Sequence, residues 1–454
     1  MVHVDIKHCV IARGLGFGLS SQPRPDLSLD FLSTTLNTKD STMTILQVYN
    51  RIPYPVRDGG VKAFHHTAAC LEKLGHRVRW FCLNPSRNRV NPRELPPDFG
   101  INQHLKTIDI KTHVSTLKAL FSLLQTKPYH LTRFQHDDVT HELRRVINTE
   151  KPDVVLVEGL AMGLYLPLFQ EFKLKIFYRA HNIESDLLLQ KAKSYPRWHP
   201  LSWWLYGEYS KIKSFEQQIL SQSDAVLAIS PEDAQGLQHR MPKDKTLITL
   251  GYWPEPEPPT SIISVTSKPL VPMAEAQPRG LNLGFIGTLD WLPNLDAVQW
   301  FLEDWYPGML SVNPKPTFHL AGRKMPSGLG SGLSNLVVHG EVEDASAFMK
   351  NCDLLVMPLR MGSGLKIKAL EAIALGIPLL STTKGVQGLG LKPFHDYWPA
   401  QSPAEFVKGL QQLSQNPELL QSMAQNASQS LAKTLEPEVQ MKNLAALFQP
   451  LNLG

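Results

Sequence analysis

The sequence predicts an α/β protein made of two successive doubly wound domains, on three observations. Short apolar runs alternate with helix-patterned segments along both halves of the chain. A single proline-rich stretch interrupts the alternation, and beyond it the pattern restarts from a new strand.

The first half opens as strand, glycine-bearing loop, helix, strand. Ile45 to Tyr49 is the apolar run and Asn50 to Gly60 the loop. Val61, Phe64, Ala68 and Leu71 then recur on one face of a helix that Gly75 stops. His76 to Leu83 reads as the second strand, and further strands follow at Asp153–Val157, Lys175–Arg179 and Ala225–Ile229. The segments between them are long enough for crossover helices, which implies a largely parallel sheet covered on both faces. Ser230-Pro231-Glu232-Asp233 opens the next helix with a serine cap, a proline at the first helical position and an acid at the third.

Between Tyr252 and Arg279, Pro254, Pro256, Pro258, Pro259, Pro272 and Pro278 fall among serines and threonines, with little that could pack, and this stretch reads as a linker. Asn282–Gly287, Thr317–Ala321, Leu336–His339, Leu354–Pro358 and Pro378–Ser381 are then strands, alternating with helical segments such as Asn294–Leu302, Asp344–Asn351 and Leu365–Leu375. The predicted organisation is a disordered leader (1–43), an N-terminal domain (44–251), the linker (252–279), a C-terminal domain (280–434) and a final helical segment (435–454) able to pack back on the N-terminal domain. In the leader, Arg13 interrupts the apolar run from Cys9 to Leu19, a poor fit to a cleaved signal peptide. Met43 stands directly before the first strand, as an internal start codon would.

Composition narrows the function classes. The 454 residues are 43% hydrophobic, enough for a full core in each domain. The net charge of +5 comes from 46 basic and 41 acidic residues scattered without a basic tail, which argues against nucleic acid as a partner. Cys9, Cys70, Cys82 and Cys352 are far apart and lack zinc spacing, so the expectation is a reducing, cytoplasmic setting and no structural metal. No stretch approaches the ~20 apolar residues of a membrane-spanning helix.

Three segments could carry chemistry. Pro53 to Gly60 runs from a strand end into a helix, and Gly59-Gly60 would let backbone amides approach an anion at the helix N-terminus; a tight turn with no ligand explains that loop equally well. Arg360 to Ala372 follows a strand and opens a helix. Its Gly362-Ser363-Gly364 turn offers unhindered amides, Arg360, Lys366 and Lys368 offer cations for a diphosphate, and Glu371 lies two turns further on, placed to accept from ribose hydroxyls. The competing reading pairs Lys368 with Glu371 on a helix surface. In the third segment, Tyr178 to Glu184, a strand ends in His181-Asn182 at the crevice edge, where a histidine could hydrogen-bond a sugar hydroxyl or could simply be structural.

Taken in order, these segments resemble family 4 of the retaining glycosyltransferases, a group with the GT-B fold of two Rossmann-like domains facing each other across a cleft. The strongest match runs from Met357 to Pro378, continuing through Ser381-Thr382 and Gly385 to Leu389. Supporting matches are Pro53-Tyr54-Pro55 with Gly59-Gly60, the His181 segment, Ile229-Ser230-Pro231, and Gly287 to Trp291 with Pro293-Asn294. The resemblance implies transfer of a sugar from a nucleotide-sugar donor to a glycan, lipid-linked or small-molecule acceptor, with retention and without a metal or other cofactor. It implies that Glu371 binds the ribose, that Gly362, Ser363, Gly364, Lys366 and Lys368 bind the diphosphate, that Gly59 and Gly60 bind the phosphate side, and that His181 meets the donor sugar. Two segments depart from the pattern: Ser363 stands where many members carry the first of two glutamates, and Thr288, Asp290 and Asn294 stand where many carry an arginine and a lysine. Arg323, Lys366 and Lys368 are therefore the candidate phosphate cations. A sugar-nucleotide epimerase of the same fold and a non-catalytic nucleotide-binding protein are the alternatives.

Finally, Trp198, Trp203, Trp204, Tyr206 and Tyr209 lie among Lys191, Lys193, Arg197, Lys211 and Lys213. That mixture suits peripheral contact with the inner face of the cell membrane, or equally a helix packing its aromatics on the N-terminal domain.

Overall fold

The computed structural model describes residues 42–449 apart from 57, 113–121, 123–126, 255–278 and 363. All of the predicted leader up to Ser41, nearly all of the linker and Ser363 therefore lie outside the described residues, while Met43, which the prediction put in the leader, is buried in the first core.

The N-terminal sheet contains β1 (Thr44–Tyr49), β2 (Arg77–Pro85), β3 (Lys106–Ile110), β4 (Val154–Glu158), β5 (Lys175–Ala180), β6 (Ala225–Ala228) and β7 (Thr246–Thr249). They pair in parallel in the order β3-β2-β1-β4-β5-β6-β7. The central strands are mostly apolar and wholly buried, as strands covered on both faces must be. The covering helices include α1 (Gly59–Lys73), α2 (Asp137–Glu150), α3 (Leu166–Glu171), α4 (Glu184–Lys193), α5 (Pro200–Gln222) and α6 (Pro231–Gln238). Asp58 caps α1 by accepting from the Val61 amide at 3.1 Å, and the helix buries Val61, Phe64, Ala68 and Leu71, the predicted face.

The second sheet repeats the plan with β8 (Asn282–Ile286), β9 (Thr317–Ala321), β10 (Leu336–Gly340), β11 (Leu354–Met357), β12 (Leu379–Ser381) and β13 (Trp398–Pro399), parallel in the order β10-β9-β8-β11-β12-β13. Its helices include α7 (Leu292–Trp300), α8 (Ala345–Lys350), α9 (Ile367–Ala374), α10 (Pro403–Gln415) and α11 (Pro417–Leu435). Phe301, Phe318, Trp305 and Phe406 stack together in its core.

The last helix, α12 (Pro437–Ala446), belongs to the first core. Met441 and Leu444 are buried among Tyr49, Phe64 and Phe177, and Phe448 packs on Phe177 with ring centroids 5.4 Å apart. Gln440 accepts from the Gly251 amide at 2.6 Å. Each buried side chain contributes roughly 1.5–3 kcal/mol against about 1 for that hydrogen bond, so apolar burial holds the chain's return. Among the described residues, no helix is long and apolar enough to cross a membrane.

Candidate active site

Each sheet reverses its strand order beside the first strand of its domain, between β1 and β4 and between β8 and β11. In open parallel sheets ligands bind at such points, at the carboxyl ends of the strands. The predicted residues sit there. Gly59 and Gly60 are the first residues of α1 after the β1 loop, and His181 directly follows β5. The Gly362–Gly364 turn follows β11 and leads into α9, which carries Lys368 and Glu371.

The structure brings the two groups together. Gly364 has φ +73°, and a Cβ there would lie 2.7 Å from Asn182 Oδ1 and 3.0 Å from the His181 carbonyl, so only glycine fits both the conformation and the approach. The Gly362 amide donates to Gln190 Oε1 of α4 at 2.9 Å. A Cβ on Gly59 would come within 2.9 Å of Ile367 Cδ1, so the first turns of α1 and α9 are neighbours. Lys62 of α1 forms an ion pair with Glu371 of α9, both side chains four-fifths or more buried. Two helix N-termini thus converge on one place, an arrangement that favours an anion.

His181 is held from below. Its Nε2 donates to Glu158 Oε2 at 2.6 Å, and Glu158, at the end of β4, is fully buried. The other Glu158 oxygen accepts from Gln47 Nε2 at 2.7 Å, and the Arg179 guanidinium, also fully buried, stands 3.8 Å away. The carboxylate therefore fixes the ring's orientation and tautomer, leaving Nδ1 without a partner among the described residues.

The cations are arranged differently from the simplest expectation. Glu371 is taken by Lys62, and Lys368 instead donates to Asn294 Oδ1 at 3.0 Å, so the Lys368–Glu371 surface pair does not form. Lys366 is buried and donates to the Gly364 carbonyl at 3.0 Å. Arg323 reaches across to Asp58 at 3.9 Å, while Arg51 already holds Asp58 through two bonds of 2.6 and 2.9 Å. Thr288 contributes its carbonyl, which accepts from Asn294 Nδ2 at 2.9 Å and so steadies the partner of Lys368.

Sequence reasoning missed Lys62, Glu158, Gln190 and Asp233. Lys62 follows Gly59-Gly60 closely enough to have been noticed, and Glu158 is an isolated acid ending the apolar run Val154 to Val157. Gln190 carries no local signal. Asp233 was read only as a helix-start residue, yet burial raises its carboxyl while Ser230, Lys366 and the Gly364 amide favour its charged form.

Burial dominates the lysines. The Lys368 ammonium is directed inward over the Phe285 ring at 5.3 Å, and desolvation lowers it to about 7 against an opposing contribution from Glu371. Lys366 is lowered to about 8 by burial and by Lys384. Above about 7, then, Lys368 is mostly neutral in the free protein, and a bound anion favours its protonated form. Binding a nucleoside diphosphate near pH 8 is therefore expected to take up protons, and affinity to rise as pH falls from about 9 to 7. Titration calorimetry in two buffers of different ionisation enthalpy measures this; identical heats in both would disprove it.

Comparison with known proteins follows from this geometry. Residues 57–251 match the family profile described as Glycosyltransferase Family 4, and residues 280–416 match Glycosyl transferases group 1. The chain belongs to the family 4 and group 1 glycosyltransferases. Among solved structures, this glycosyltransferase is similar to sucrose-phosphate synthase from Thermosynechococcus elongatus, with TM-score 0.63, 14% identity, and coverage of 89% of this chain and 98% of the other. It is also similar to WaaG, a glycosyltransferase involved in lipopolysaccharide biosynthesis (TM-score 0.59, 15% identity, 90% and 100% covered), and to Anabaena HepE in complex with UDP and glucose (0.59, 11%, 90% and 100%). These likenesses establish the GT-B fold. A Klebsiella pneumoniae protein described as an uncharacterized 44.6 kDa protein in the cps region is 25% identical over 156 residues, 32% of this glycosyltransferase; the match spans 40% of the Klebsiella protein.

Proposed function

We propose that the protein transfers a glycosyl group from a nucleotide-sugar donor to a glycan or lipid-linked acceptor, with retention. The observation that carries this reading is the packing of Gly364 directly against His181-Asn182. It brings a diphosphate-suited helix start within reach of a partly buried, carboxylate-oriented histidine. Gly362, Ser363, Gly364, Lys366 and Lys368 would receive the diphosphate, with Gly59 and Gly60 opposite, Arg323 and Thr288 at the margin, and Glu371 on the ribose. When the bond between sugar and diphosphate breaks, negative charge builds on the phosphate and positive charge on the sugar. Amides, helix N-termini and lysines are arranged for the former, and His181 for the latter, so no metal or cofactor is assigned. The UDP-bound HepE structure is consistent with a nucleotide-sugar donor, and WaaG and the cps-region protein with polysaccharide biosynthesis.

Acceptor-dependent release of nucleoside diphosphate is the deciding assay. Release of a free sugar or an isomerised nucleotide without acceptor would indicate an epimerase, and donor binding with no release a non-catalytic protein. Within that assay, Glu371→Ala is expected to weaken donor affinity by about 1–3 kcal/mol in a folded protein, the cost of losing hydrogen bonds to a charged acceptor. Unchanged affinity would remove Glu371 from the site.

We also infer a cytoplasmic protein that touches the inner face of the cell membrane through the turn between α4 and α5. Trp204 faces inward against Tyr129, and Lys211 is held by Glu208. Trp198 and Trp203, however, are 76% and 68% exposed, and Lys193 and Arg197 in the same turn are exposed too. Indole rings favour the headgroup region, and each basic residue near anionic lipid adds about 1 kcal/mol. Co-sedimentation with phosphatidylglycerol vesicles should be lost in Trp198→Ala/Trp203→Ala. Equal sedimentation of the variant, or none by the wild type, would reject this contact.

A further inference from the structure

Lys62 occupies the spot on Glu371 that the donor ribose would need. The pair is largely desolvated, with side-chain exposures of 20% and 16%, so neither charge is readily left alone. A ribose offers only neutral hydroxyls. If it took Glu371 and nothing else arrived, the ammonium of Lys62 would be stranded in the cleft.

The other cations nearby already have partners. Arg51 is held bidentately by Asp58, Arg360 by Asp296 at 2.6 and 3.1 Å, and Lys368 by Asn294. Lys62 is the cation that ribose binding itself would set free. It also stands in the first turns of α1, whose N-terminal Gly59 touches Ile367 at the start of α9. From Glu371 back to Ile367 is four residues, about 6 Å at 1.5 Å per residue, a distance that a lysine covers by changing rotamers.

Resting on the donor-site reading above, we propose that Lys62 is a donor-binding residue that exchanges partners: it pairs with Glu371 in the free protein and with the diphosphate when the nucleotide sugar is bound. The ribose takes over the carboxylate as the ammonium moves to the phosphates. Both charges stay compensated throughout, and a cation from the N-terminal domain serves where the C-terminal domain has Thr288, Asp290 and Asn294. Because the new partner is charged on both sides, the contact belongs to the stronger class of hydrogen bonds. A nucleoside lacking phosphates, by contrast, must displace Lys62 and gains nothing in return.

Calorimetric titration of the full chain with UDP, GDP and ADP, and with uridine, guanosine and adenosine, tests this in wild type, Lys62→Met and Lys62→Arg. For the base that binds, Lys62→Met is expected to weaken diphosphate binding at least 10-fold and to leave nucleoside binding unchanged or tighter. Lys62→Arg should restore most of the diphosphate affinity. If Lys62→Met binds the diphosphate as tightly as wild type or more so, Lys62 merely tethers Glu371 and the exchange is wrong. A parallel loss for diphosphate and nucleoside would indicate a structural role and also overturn it. Failure of wild type to bind any of the diphosphates would instead overturn the donor-site reading itself.

Discussion

His181→Ala is expected to lower turnover by about 10²-fold or more while barely changing the affinity for free nucleoside diphosphate. Loss of one positioned polar group in a catalytic site typically costs that much. Nucleotide affinity should survive because most of the phosphate and ribose contacts assigned here come from the C-terminal domain. The fold should survive too: Glu158 keeps its bond from Gln47 and its proximity to Arg179 when the imidazole is removed. A histidine that only packed at the end of β5 would give the reverse, a lower melting temperature with modest kinetic loss. Turnover, diphosphate affinity and melting temperature measured on one variant separate the two, and turnover near wild type would end the catalytic assignment.

Glu158→Gln is expected to destabilise the N-terminal domain by about 3–5 kcal/mol. Arg179 is wholly buried, and none of its three guanidinium nitrogens has a hydrogen-bond partner among the described residues; Glu158, 3.8 Å away, is its counter-charge. Burial lowers the Arg179 pKa, opposed chiefly by Glu158. Removing one charge of a buried pair leaves the other uncompensated, which is where costs of this size arise, and they are a large fraction of the 5–15 kcal/mol that holds a typical domain together. Replacing both residues, as Glu158→Gln/Arg179→Met, should recover most of the loss, because the cost lies in the orphaned charge. Denaturant unfolding of the three variants measures it. A loss in Glu158→Gln below about 1 kcal/mol, or no recovery in the double variant, would show that Arg179 is compensated elsewhere. Turnover of whatever Glu158→Gln remains folded should also fall, since His181 loses the carboxylate that orients it.

The sequence by itself determined the two-sheet plan, most of the central strands and the glycines that precede α9, because those features are local. A strand buried on both faces, such as Val154 to Glu158, is a continuous apolar run wherever it is met, and Gly362 and Gly364 adopt positive φ that other residues resist. Of the four edge strands only β10 was legible; β3, β7 and β13 were not. β3, Lys-Thr-Ile-Asp-Ile, pairs on one side only and keeps three of its five residues exposed, so it has no apolar run to betray it, and β7 is one residue shorter and has no fully buried residue. His181, Glu371 and the lysines were legible as residue types at the ends of strands and starts of helices, but their partners were not. Lys62 meets Glu371 across 309 residues of chain, and Gln190 meets Gly362 across 172. Only the tertiary structure decided those pairings, because the approach of one domain to the other is set by how two separately packed cores meet, and a local pattern of residues contains no information about that contact.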